Sequence, residues 1–425
     1  MKPDVKGKKL LVLGAGVVET TLVKRAQHLG IYTIVTDYNL DHTISPAKDI
    51  ADEYWDINWS DVDSLQERCK ETGVDGVIAG YSEFRVESCI KLCERLNLPC
   101  YINMEQLEVT REKILFKEAC RRNNVPVIKE YASVQDVDSY PVIVKPTDRA
   151  GSIGVGIATN YEELLKVYDY AMQMSICKKV IIEQFIHKAV KFDVYYAIID
   201  GEIILISSND VLNAKANGFE RVVQSGWVLP SVHHSKFIEK ADPMLRDFIR
   251  DMGIRNGYIF FSGFADDDDN FSFFECGFRL CGGHFYEYFP HIGMINNMDL
   301  FIYHALTGSA DCVLEDVKPG RNLKCVTINL YAKAGTIAKI EGFDRLDEIP
   351  ECYFKMQHAY EGMVCEDDKA ILSKIGMAYF CSESDDVLAN AVDRMYQYVK
   401  VTDEEGNDMI YDRVDTDTVR NWWRR

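Results

Sequence analysis

The 425-residue chain is predicted to combine α/β and α+β architecture, on three observations. Its first hundred residues alternate short apolar strands with amphipathic helices, the pattern of a parallel, doubly wound sheet. Its middle carries strand-like runs around a small-residue loop and an acidic segment. From Asn322 the pattern turns β-rich, with a closing helix from about Asp385 to Tyr398.

Taken in order, Leu10-Leu-Val-Leu13 is a buried strand, Gly14-Ala-Gly16 a tight turn, and a helix runs to about Leu29. Tyr32 to Thr36 is the next strand and ends on Asp37. A further strand, Gly76 to Gly80, leads into an amphipathic helix from Glu83 to Asn97. Gly14-x-Gly16 followed by Asp37 invites a dinucleotide reading. The third glycine of that fingerprint would stand at position 19, which is Glu19, and a carboxylate there opposes a pyrophosphate. A plain strand-to-helix turn is therefore expected, without NAD.

A helix is predicted over Thr110 to Asn124, with Thr110 as N-cap and Ile114, Leu115 and Ala119 lining one face. Pro141-Val-Ile-Val-Lys145-Pro146 reads as a buried-type strand that delivers Lys145 at its end. The loop Arg149-Ala-Gly-Ser-Ile-Gly-Val-Gly156 has three glycines and a serine within six residues. Such a loop lets backbone N–H groups approach phosphate, with Gly151, Ser152 and Gly154 as its contacts. It lacks the Gly-Lys-Ser/Thr ending of a P-loop. Val180 to Ile186 is a strand that stops on Glu183-Gln184, and Phe274-Glu-Cys-Gly-Phe-Arg279 closes the middle region. Lys324 to Tyr331 and Gly335 to Ile340 are the first C-terminal strands.

Composition narrows the function. A net charge of −19 argues against nucleic acid as a partner, because phosphate binding needs clustered Lys and Arg. The odd count of 13 cysteines, with no C-x-x-C pair, reads as reduced thiols such as Cys89, Cys93 and Cys120 packed in the core. The start of the chain lacks a signal-peptide apolar region and no run is long enough to span a bilayer, so a cytoplasmic protein without membrane contact is expected. Asp266 to Asp269 falls where a hairpin turn is due, and four adjacent carboxylates diverge, so it reads as solvated. His233, His234, His284 and His291 have no metal-ligand spacing.

The ordered set of Lys145, glycine loop, Glu183-Gln184 and Glu275 to Arg279 resembles the ATP-grasp superfamily, most of whose members join a carboxylate to an amine at the expense of ATP. The resemblance implies a Rossmann-like domain over residues 1–108, an ATP-grasp domain over 109–320 and a C-terminal α+β domain over 321–425. It implies that Lys113 and Lys145 contact ATP phosphates, that Glu183, Gln184 and Ile186 form the adenine hinge, and that Glu275 holds magnesium while Arg279 meets the transferred phosphoryl group. Glu83 and His284 are implied at the substrate side. A ribose-binding Glu is replaced by Val190 in Lys188-Ala-Val190, and Asp193 is its stand-in.

Two departures touch the metal. The Asn of the family's Glu-x-Asn-x-Arg is Gly277 here, and the second carboxylate is matched by Ser262. Gly277→Asn is expected to restore a ligand if the position does not need a positive φ. The sequence therefore supports an ATP- and Mg2+-dependent carboxylate–amine (or thiol) ligase working through an acyl phosphate on an amino acid or small carboxylic acid. The alternatives are a nucleotide-binding sensor or scaffold with weakened catalysis and, from Gly14-x-Gly16 and Asp37, an NAD-dependent oxidoreductase. The expected partners are small carboxylate and amine substrates and, at most, a second copy of the chain in a homodimer.

Overall fold

The computed structural model describes residues 2–149, 153–186, 189–213, 224–318, 320, 322–366 and 373–424. Its first sheet has four parallel strands in the order Glu53–Trp55, Tyr32–Thr36, Lys9–Leu13, Gly76–Ile78. Leu10 to Leu13 are all buried, and the run feeds two cores at once, Leu10 and Val12 into one and Leu11 and Leu13 into the other. Burial on both faces is why this strand reads as continuously apolar.

A second sheet is antiparallel, in the order Glu130–Tyr131, Val180–Gln184, Val142–Pro146, Gly156–Ala158. Side chains of a strand alternate between faces. Val142 and Val144 pack beneath the helix Tyr161–Met174 with Leu164 and Ala171, which turns Ile143 and Lys145 to the open face.

The third sheet has eight antiparallel strands. Their order is Phe271–Gly277, Gly257–Asp266, Ala189–Ile199, Glu202–Asn213, Gln224–Leu229, Lys324–Tyr331, Lys374–Ser382, Cys352–Gln357. Leu229 pairs with Cys325, so the C-terminal strands extend the sheet of the middle region. One face buries Phe192, Val194 and Tyr196 against the helix Asp242–Asp251. The other carries Asp193 and Tyr195 towards Trp227 and Phe285.

The helix expected over Thr110 to Asn124 is two helices, Met104–Arg111 and Lys113–Arg122. Thr110 is not a cap: its hydroxyl donates to Gln106 O at 2.8 Å inside the first helix. Asn103 and Gln106 form a capping box that starts that helix earlier. Ile114 and Leu115 are 42% and 37% exposed, and the buried face is Phe116, Lys117, Ala119 and Cys120. The helices Glu83–Leu96 and Asp385–Tyr398 stand where the periodicity puts them. All 13 cysteines are free, Cys89, Cys93 and Cys120 in the core. Among the described residues no helix is long and apolar enough to cross a membrane.

Candidate active site

Lys145, on the open face of the small sheet, forms an ion pair with Glu183 of the neighbouring strand. Glu183 is 1% exposed and also pairs with the buried Lys117, which in turn lies 3.1 Å from Glu130. Burial pushes the Glu183 carboxyl up, but Lys145 and Lys117 outweigh it and hold the group below its ordinary value. This lysine–carboxylate–lysine chain fixes the direction of Lys145. Its ammonium lies 5.2 Å from the centre of the Phe274 ring, and Lys191 lies 5.5 Å from the same ring. Two cations thus converge on the residue next to Glu275.

Lys113 opens its helix and points its ammonium at the carbonyls of Thr147 and Arg149, both at 3.4 Å, where the glycine loop leaves the strand. Gly151 and Ser152 lie outside the described residues. Gly154 has φ +76°, with Pro146 and Met174 packed beneath it. At the hinge, the Gln184 amide donates to Lys129 O at 3.0 Å and the Phe185 amide to Pro141 O at 2.9 Å. The next amide, that of Ile186, makes no hydrogen bond among the described residues, which leaves a donor at the end of the strand.

Glu275 is half-buried, and its side chain shows no ion pair or hydrogen bond among the described residues. It belongs to a row of oxygen-bearing residues on four successive strands, in direct register: Glu275 opposite Ser262, Ser262 opposite Asp193, Asp193 opposite Asn209. Directly opposed residues share a face, and neighbouring strands stand about 4.8 Å apart. Asp193 accepts from the Trp227 indole at 3.0 Å, and Asn209 donates to the Tyr195 hydroxyl at 2.7 Å. One oxygen of each, Asp193 Oδ1 and Asn209 Oδ1, is buried without a partner. Asp193 is thus an interior residue of the large sheet, whereas the hinge belongs to the small one.

Arg279 follows the strand and forms an ion pair with Glu83 at 3.1 Å, its guanidinium 5.6 Å from the Phe260 ring centre. Glu83 starts a helix of the N-terminal region, so this pair joins that region to the end of the strand Phe271–Gly277. His284 is fully buried, its ring 5.2 Å from Tyr81 and 5.7 Å from Phe354. Burial, with Lys374 and His358 nearby, pulls its pKa well below the ordinary value. Asp266 to Asp269 form the hairpin turn, with Asp266 Oδ1 accepting from the amides of Asp268 and Asn270.

At the first turn, Arg85 lies directly above Gly14 and pairs with the buried Glu19 at 2.6 Å. Sequence reasoning missed Lys117, Lys191, Phe274 and Phe260. Lys191 carried a readable signal, a cation two residues before Asp193 in a strand of alternating pattern. Phe274 and Phe260 depend on cross-strand register, and Lys117 on the packing of its helix against the strand of Glu183, neither of which local sequence encodes.

A family model described as the D-ala D-ala ligase C-terminus matches residues 104–217. The chain is 27% identical over 192 residues to the formate-dependent phosphoribosylglycinamide formyltransferase of Prochlorococcus marinus, covering 42% of this chain and 48% of that protein. It is 26% identical over 216 residues to the carbamoyl phosphate synthase large chain of Clostridium perfringens, covering 44% and 20%. The match spans about half of the first relative and a fifth of the second. Among solved structures, L-amino acid ligase from Bacillus licheniformis superposes with a TM-score of 0.75 at 18% identity, covering 93% of this chain and 98% of that one. Phosphoribosylglycinamide synthetase from Anaerococcus prevotii gives 0.74 at 19%, covering 93% and 99%. Biotin carboxylase from Campylobacter jejuni, solved as a beta-gamma-ATP complex, gives 0.73 at 16%, covering 99% and 96%. At these identities the shared property is the fold.

Proposed function

We infer from the ATP-grasp fold of this chain that it is an ATP-dependent ligase, joining a small carboxylic acid to an amine through an acyl phosphate. The observation that carries the reading is the convergence of Lys145 and Lys191 on Phe274, the residue before Glu275.

The residues fit a nucleotide. Lys113, Lys145 and Lys191 offer point charges for phosphate oxygens, and Ile186 offers a backbone donor for the base. They fit magnesium more sparingly. The Glu275 carboxylate shows no partner among the described residues, and Ser262 and Asp193 continue its row. Magnesium tolerates few protein ligands, because phosphate oxygens and water complete its octahedron. Bound there, it would neutralise charge on the transferred phosphoryl group.

The carboxylate attacks the γ-phosphate in line and needs no base, so the chain must supply alignment and charge. In this reading Arg279, which pairs with Glu83, meets the equatorial oxygens, and the lysines hold the leaving ADP. The amine then adds to the acyl phosphate, loses a proton and expels phosphate.

A second reading, nucleotide binding without turnover, draws on the Phe260 ring, which stands where a ligand from position 277 would project. The two separate in one assay. Phosphate release is measured with ATP and magnesium across an acid and amine library. The ligase reading expects release that requires an acid and is lost in Glu275→Gln. No release with any pair would favour the second reading.

A further inference from the structure

We propose that Cys89, Cys93 and Cys100 of the N-terminal region hold a thiophilic metal ion, Zn2+, on three thiolates. The site shares no residue with the nucleotide site and stands whether or not the chain is a ligase.

Cys89 and Cys93 stand one turn apart on the helix Glu83–Leu96, so both thiols leave the same buried face. Their sulfurs are 3.9 Å apart. Asn97 then ends the helix in the left-handed conformation, at φ 54°. The Leu98 amide donates back to Cys93 O at 2.9 Å, a turn that folds the chain across the helix end. That return brings Cys100 to the pair, and all three sulfurs lie within 4.8 Å of one another. A zinc–sulfur bond is about 2.3 Å, which sets tetrahedral neighbours about 3.8 Å apart. The thiols are thus within about 1 Å of the spacing that the ion imposes.

Two cysteines on a buried helix face alone would be ordinary core residues. The third changes the reading. Cys100 is only partly buried and lines a cavity of about 210 Å3 with Tyr101, Gln106, Arg255 and His304. An ion therefore has a way in. Among the described residues no fourth thiol, imidazole or carboxylate joins the group at that distance, so the fourth position belongs to water from the cavity. Cys89 and Cys93 donate to Cys100 and lower its pKa, which makes it the readiest of the three to lose its proton, as a metal ligand must. Binding releases three thiol protons to solvent and leaves one net negative charge, with Arg255 on the same cavity wall. The ion braces the parts that hold Arg279. Its partner Glu83 starts the helix of Cys89 and Cys93, and Tyr101, next to Cys100, donates its hydroxyl to Phe278 O at 3.0 Å.

The test uses the full chain, reduced and stripped of metal with a chelator, titrated with Co2+ without oxygen and then with Zn2+. Wild type should develop a sulfur-to-cobalt charge-transfer band that saturates at one equivalent and is erased by one equivalent of Zn2+. Cobalt held by oxygen ligands gives no such band, so the Glu275 site does not interfere. Cys100→Ser should weaken Zn2+ at least about ten-fold, since losing even a group outside the ligand shell costs that much. Cys93→Ala serves in its place if that variant does not fold. Cys177→Ser, which removes an exposed thiol from another part of the chain, should leave the band and the affinity unchanged. A wild type without the band would overturn the proposal. So would a folded Cys100→Ser or Cys93→Ala variant that binds Zn2+ as tightly as wild type, or loss of the band in Cys177→Ser.

Discussion

Phe260 covers Gly277. The two are direct register partners on adjacent strands, and a Cβ added at 277 would stand 2.3 Å from the Phe260 Cζ. Gly277 is not among the glycines of positive φ, so the ring, and not backbone conformation, reserves this position for glycine. An aromatic ring laid over a cross-strand glycine fills the space that the missing side chain leaves in the sheet.

It follows that Gly277→Asn alone will not restore a metal ligand. Overpacking against Phe260 should cost about 1–3 kcal/mol, read as a lower denaturant midpoint, with magnesium affinity no better than wild type. Phe260→Ala combined with Gly277→Asn should recover room for the side chain and tighten magnesium relative to Phe260→Ala alone. Tighter magnesium in the single Asn variant would contradict the packing argument.

Lys145→Met should weaken ADP by at least about 1.5 kcal/mol, the value of a hydrogen bond to a charged group. Calorimetry on the folded variant checks this. Because Lys117 remains paired with Glu183, the variant keeps one partner for the buried carboxylate and should still fold.

Glu183 has a folded pKa below its ordinary 4.5. The unfolded chain therefore binds its proton first as pH falls, so the stabilisation is complete above about 4.5 and is lost as pH drops through the folded value. Glu183→Gln should remove this part of the acid limb in a denaturation series. An identical acid limb in the variant would show that the carboxylate is not held by its lysines.

Lys374 carries the opposite kind of linkage. Its folded value is about 7 against 10.5, so between those limits the unfolded chain holds a proton that the folded chain lacks, and stability rises with pH. Lys374→Met should raise the melting temperature at and below pH 7, with the advantage shrinking as pH climbs towards 10.5. A pH-independent difference would place the ammonium in solvent.

NADH should not bind at the first turn, where the Arg85 guanidinium occupies the space above Gly14. Saturable NADH fluorescence that is lost on Gly14→Ala would refute this.

The sequence made some parts of this molecule legible and hid others for identifiable reasons. Lys145 was readable because three buried-type β residues lead to it and Pro146 follows. The helix Asp385–Tyr398 was readable in the sequence, and the structure adds its cap, Ser384, which accepts from the Val387 amide. Thr110 misled because a threonine ahead of an apolar run resembles a cap, while the true start lay at Asn103. Lys117 and Phe260 act through residues 66 and 17 positions away in sequence; helix-on-sheet packing brings the first pair together and strand register the second. The same holds for the row from Glu275 to Asn209, whose members come from four strands.

The most direct test of the ligase account follows oxygen. Carboxylic acids labelled with 18O are supplied with ATP, magnesium and amines, and the released phosphate is analysed by mass. An acyl phosphate transfers one labelled oxygen from the acid to phosphate, so the account predicts labelled phosphate from wild type and none from Glu275→Gln. Phosphate released without label, or labelled equally in the Glu275→Gln variant, would contradict it.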